Sequence, residues 1–135
     1  MKSYEIVDKA DALTIKVTAA NMEELFASVA KAITHAMVGN DQITGERFEK
    51  QLKVNSVDEE TLLVDFVGKL LELAYVENVA FTNVSVDKLD NHSLSASIEG
   101  CYVYGFGQEL GELDLDGVAF RQNHEGFEAT FTFGL

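Results

Sequence analysis

Residues 56–74 read SVDEETLLVDFVGKLLELA, and the period of this stretch decides which kind of fold the chain can make. Leu62, Leu63, Phe66, Val67, Leu70, Leu71, Leu73 and Ala74 recur at three- and four-residue steps, the spacing that gathers side chains on one wide face of an α-helix. Ser56 precedes them with Glu59 three residues on, the pattern of a capping box, so the helix is expected to open at Ser56. Thr61, Asp65, Lys69 and Glu72 share the other face. Asp65 and Lys69 are four apart and could contribute only about 0.2–0.5 kcal/mol as a surface pair. Gly68 has no place in this pattern, since glycine inside a helix costs about 1 kcal/mol against alanine.

A helix of the same kind is expected upstream. It opens at Asn21 with Glu24 as the box partner, carries Met22, Leu25, Phe26, Val29, Ile33, Ala36 and Met37 on one stripe, and stops at Gly39. Most of the rest alternates. Leu13, Ile15 and Val17, then Phe48, Leu52 and Val54, then Leu94, Ala96 and Ile98 are interleaved with polar residues. The closing segment is the clearest, with Phe127, Ala129, Phe131 and Phe133 pointing one way and Glu128, Thr130 and Thr132 the other. Strands with one apolar face need cover on that face only. The sequence therefore predicts an α+β two-layer sandwich in which a mixed, mostly antiparallel sheet carries both helices on one face. Hairpins fall at Asp90-Asn91 and around Asn123 to Gly126.

The chain has 135 residues and is 47% hydrophobic, with nine Phe and four Tyr. That length suits one domain over residues 1–135, burying roughly two-thirds of the surface of the unfolded chain. No apolar run approaches the roughly 18 residues of a membrane span, and the opening MKSYEIVDK has no apolar segment of signal-peptide length. A cytoplasmic protein is expected. The single cysteine, Cys101, excludes an internal disulfide. Lying among Tyr102, Val103 and Tyr104, it is expected to be a small buried hydrophobe; as a nucleophile it would need a base, and no His lies close in sequence, so only a distant one brought near by the fold could serve.

Charge narrows the partners. The formal net charge is −13, and Arg121 is the one basic residue between Leu89 and Leu135, so direct binding to a phosphate backbone is not expected. A basic protein or a divalent cation fits better, although acidity can also serve solubility alone. His35, His92 and His124 have no zinc-ligand spacing and are expected at the surface, the last two in hairpin turns. In GELDLDGV, residues 111–118, Glu112, Asp114 and Asp116 would line one side of a strand. They could offer oxygens to Ca²⁺ or Mg²⁺ or simply protect an edge strand with charge. Asp8 and Asp11 in DKADALTI, residues 8–15, read either as caps of a turn or as the rim of a site.

The succession YEIVDKADALTIKV, NMEELFASVAKAI, LLVDFVGKLLELAYVENVAF, ELGELDLDGVAF and GFEATFTFGL resembles the archease family, in the family's order and over nearly the whole chain. The resemblance implies an accessory protein of the tRNA-splicing RNA ligase that joins 2′,3′-cyclic phosphate and 5′-hydroxyl ends. Such proteins promote guanylylation of the ligase and its multiple turnover. It also implies a metal site, for Ca²⁺ or another divalent cation, built from an aspartate of the family's D-H-T-A-D opening and the last two residues. Here those positions are Asp11, Gly134 and Leu135. Asp8 matches the first aspartate and Lys9 replaces the histidine. The second aspartate is Asp11 if one residue is inserted, or has become Ala12 if none is. Gly134 stands for the usual penultimate aspartate, Asp116 falls at or beside a functional lysine, and Arg121 replaces a histidine. Three readings follow. One is a ligase accessory acting through protein contact, another a binding module of the same fold without metal or ligase function, and the last a metal-dependent hydrolase using Asp8, Asp11, Asp114 and Asp116.

Overall fold

The computed structural model describes residues 4–9, 11–38, 45–104, 106, 110–111, 113 and 118–134, with Asp8 and Lys9 described in backbone only. In chain order the elements are β1 (Tyr4–Lys9), β2 (Ala12–Ala19), α1 (Met22–Val38), β3 (Arg47–Asn55), α2 (Glu59–Glu77), β4 (Val79–Leu89), β5 (Ser93–Tyr102), β6 (Ala119–Asn123) and β7 (Gly126–Gly134). They fall into two compact units. One comprises Met1–Gly39 and Gly107–Leu135, the other Asn40–Phe106.

In the first unit the strands run β1-β2-β7-β6, all antiparallel. The alternation seen in sequence becomes register here: Leu13 opposes Phe133, Ile15 opposes Phe131 and Val17 opposes Ala129, and all six side chains are buried. Helix α1 packs on β1, β2 and β7. Its start follows the capping logic closely. Asn21 Oδ1 accepts the Glu24 N–H at 2.9 Å, and the Glu24 carboxylate accepts the Ala20 N–H at 3.3 Å, one residue before the expected return contact. The buried stripe is wider than expected and includes Ala30, Ala32 and Thr34. Thr34 is tolerated because its hydroxyl donates to the Ala30 carbonyl at 2.9 Å. Gly39, the expected stop, lies outside the described residues.

In the second unit the order is β3-β5-β4, again antiparallel, with α2 packed on all three strands. The class is thus the expected α+β, a helix layer on an antiparallel sheet in each unit. The strands divide between two sheets, each with one helix, where the sequence suggested one mixed sheet under both. Alternation reports which face of a strand is buried and is silent about its neighbours.

Helix α2 begins two residues later than its box suggested. Asp58, in extended conformation, is the N-cap and accepts the Thr61 N–H at 2.8 Å. That backbone bond holds its carboxyl below the ordinary carboxylate value. A carboxylate at a helix N-terminus is favoured over a hydroxyl by charge as well as by hydrogen bonding. Ser56 is drawn elsewhere: its N–H donates to the His92 carbonyl at 2.8 Å and its hydroxyl to Asp65. Lys69, four residues after Asp65, pairs with Glu72 at 3.7 Å. The helix ends at Asn78 with φ 56°, whose N–H donates to the Ala74 carbonyl, a left-handed cap that asparagine adopts where glycine is absent.

The histidines and the cysteine divide. His92 and His124 are exposed in the β4–β5 and β6–β7 turns as expected. His35 is half-buried, with Nδ1 2.9 Å from the Tyr4 hydroxyl and the two rings edge to face, because α1 packs against the strand that carries Tyr4. Cys101 is half-buried rather than buried. Among the described residues no helix is long and apolar enough to cross a membrane.

Gly68 explains itself only by absence of constraint, since a Cβ built there meets nothing within 4 Å. Gly68→Ala should therefore stabilise the protein by about 0.5–1 kcal/mol, measured by urea denaturation; a loss of stability would show that the exposed flank of α2 is packed in solution.

Candidate metal centre

β1 and β2 form a tight hairpin. The last paired residues are Lys9 and Ala12, so the connection is residues 10–11, and Asp11 sits exposed in the turn. β2 then runs along β7, and its first residue, Ala12, is the register partner of Gly134. Strand order alone therefore carries the Asp11 turn to the end of β7.

A third segment joins them. The Gly111 N–H donates to the Gly134 carbonyl at 2.7 Å, and Leu113 forms an isolated antiparallel bridge to Phe133. Leu110, just upstream, is buried. A Cβ on Gly111 would lie 2.5 Å from the Gly134 carbonyl oxygen, so this approach requires glycine at 111. Nothing in the apolar patterning marks this contact. Its only signal was a pair of glycines more than twenty residues apart.

The candidate residues are thus partly assembled. Asp11 and Gly134 are brought to one end of the first unit's sheet, and Leu135 lies outside the described residues. The backbone of Asp8 opposes Leu13. Glu109, Glu112, Asp114 and Asp116, including the carboxylates assigned to an edge strand or a hydrolase, also lie outside the described residues. Among the described residues no cluster of three or more His, Cys, Asp or Glu is placed to hold a metal.

The donors suit a hard cation in kind. A carboxylate and a backbone carbonyl are both oxygen ligands of the sort calcium takes, and a carbonyl already accepting one hydrogen bond keeps a second lone pair. Two protein oxygens are few for a shell of six to eight, so Asp11 and Gly134 by themselves do not complete one. Arg121, at the expected histidine position, lies on β6 opposite Glu128. Its Nε is 3.8 Å from the Glu128 carboxylate, which Lys16 also approaches at 3.6 Å. Glu128 thus stands between two exposed cations, Lys16 and Arg121.

With this geometry in hand, comparison with known proteins is informative. Residues 4–133 match the model of the Archease protein family (MTH1598/TM1083). The protein archease of Methanosarcina mazei is 28% identical over 125 residues, covering 90% of this chain and 84% of that protein. That of Methanosarcina barkeri is 28% identical over 121 residues, covering 89% and 77%. The solution structure of Methanobacterium thermoautotrophicum protein 1598 superposes with a TM-score of 0.76 at 19% identity, covering all of both chains, and so shares the fold. A family match that runs from the first residue of β1 to the penultimate residue of β7 spans every element among the described residues: the chain belongs to the archease family.

Proposed function

We propose that this chain acts as a non-enzymatic accessory of a tRNA-splicing RNA ligase, in the cytoplasm, through protein contact at the end of the sheet that carries Asp11 and Gly134. The observation that carries the reading is the pairing of Ala12 with Gly134, which sets the Asp11 turn beside the final strand end. Family membership and a net charge of −13 support it, since a strong negative field favours a basic protein surface. Asp11, Gly134 and Leu135 would hold a divalent cation, Ca²⁺ in the first instance. The bound ion would supply positive charge in an otherwise acidic region and open positions for oxygen ligands of the partner. Asp11 contributes charge, Gly134 a fixed carbonyl, and the Gly111 N–H holds that carbonyl in place.

A second reading is favoured by one feature. Gly134 brings no carboxylate where the family has an aspartate, so the candidate shell has one acidic ligand fewer. On this reading the chain is a binding module that retains the fold without metal or ligase function.

Adding the purified protein to the RNA ligase should raise the rate of ligase guanylylation and allow repeated turnover; absence of both binding and stimulation would reject the accessory role. Calorimetric titration with Ca²⁺ and Mn²⁺ separates the two readings. Saturable binding that Asp11→Ala abolishes is expected, whereas a parent protein that takes up neither ion would establish the second reading.

A further inference from the structure

In the second unit a groove runs between α2 and β3. Its lining includes Leu52, Leu73 and Val76, together with Lys50, Lys53 and Lys69. The helical contribution follows from spacing, because residues 69, 73 and 76 fall on one flank of α2. Leu52 and Leu73 are buried, while Val76 is 70% exposed. The groove measures about 220 Å³, below the roughly 300–1,000 Å³ of a site for a drug-sized molecule. It has room for one large side chain. Among the described residues β3 is an edge of its sheet, so one side of its backbone offers N–H and C=O groups to an added strand.

The charge of this groove departs from that of the chain. Only ten residues are Lys or Arg against 23 Asp and Glu, yet three of the ten lie here. Lys69 is 3.7 Å from Glu72, itself part of the lining. Lys50 and Lys53 form no ion pair among the described residues. Glu77, at the C-terminal end of α2, is the one lining carboxylate without such a pair.

We propose that this groove docks a short extended segment of a partner protein carrying carboxylates on both sides of a single aliphatic side chain. The aliphatic group enters against Leu52, Leu73 and Val76, the carboxylates meet Lys50 and Lys53, and the segment's backbone runs along the open edge of β3. The net charge of −13 repels a long polyanion, but screening limits that repulsion to a Debye length of about 8 Å at physiological salt. A short acidic segment therefore feels mainly the nearby lysines. Nucleic acid is a poorer occupant, since the lining holds no arginine and no aromatic ring on which a base could stack. This surface is independent of the ligase reading, and its test uses no ligase.

The probe is a blocked pentapeptide, Asp-Glu-Leu-Glu-Asp, titrated into the full chain at physiological salt and followed by NMR shifts of backbone amides. Shifts confined to residues 50–53 and 69–77 are expected. Lys50→Gln and Lys53→Gln should each weaken binding by about two- to fivefold, and Glu77→Gln should tighten it. All three residues are exposed, so folding is not at stake. Replacing the peptide's Leu by Ser should also weaken binding. The proposal fails if millimolar peptide shifts none of these amides, if the Ser peptide binds equally well, or if a trinucleotide produces the same shifts with the same lysine dependence.

Discussion

The antiparallel ladder between β2 and β7 is the constraint on which the rest of the first unit depends. Its two strands are separated by more than a hundred residues in the chain, so the pairing carries a large loop-closure cost and must be specified strongly. The specification comes from side chains: three consecutive inward pairs, Leu13–Phe133, Ile15–Phe131 and Val17–Ala129, are buried under α1. A slip of one residue would turn all of them to solvent and bring threonines and lysine inward. The same register sets Ala12 against Gly134 and so builds the candidate site. Fold and site rest on a single alignment of two strands.

Magnitudes show why the site can change while the fold persists. Each fully buried Leu, Ile or Phe contributes about 1.5–3 kcal/mol through removal from water. Exposed pairs such as Lys16–Glu128, Arg121–Glu128 and Lys69–Glu72 contribute about 0–1 kcal/mol each. Charge can therefore be exchanged at an exposed position such as 121 with little cost to stability. The outer faces are sparing in the same way. Thr14 and Thr132 share a hydroxyl contact at 3.2 Å, and Ser97 takes a hydrogen bond from Gln51 and gives one to Asp87.

Much of this was legible in the sequence because periodicity is a direct image of burial. Both helices, the alternating strands and the two hairpins stand where their apolar patterns place them, and Asn21 caps α1 as its spacing indicates. What eluded the sequence was competition between equivalent groups. Ser56 and Asp58 both precede α2, and only the structure shows Asp58 taking the Thr61 N–H while Ser56 turns to Asp65 and His92. Strand neighbours were hidden as well, so the division into two sheets was not visible. At the site, the proximity of Asp11 and Gly134 followed from family resemblance, whereas the Gly111 clasp on the Gly134 carbonyl had no sequence signal stronger than a missing side chain. His35 was misplaced because a position beside an apolar stripe is exposed only when no neighbouring strand, here that of Tyr4, reaches it.

The central claim is the register that joins the first hairpin to the last strand, and NMR cross-peaks between backbone protons across that ladder test it most directly. The account requires contacts linking Ala12 to Gly134 and Thr14 to Thr132. Cross-peaks displaced by one residue, or a ladder that is intact in its middle but lacks the Ala12–Gly134 contact, would contradict it and dissolve the proposed ion site with it.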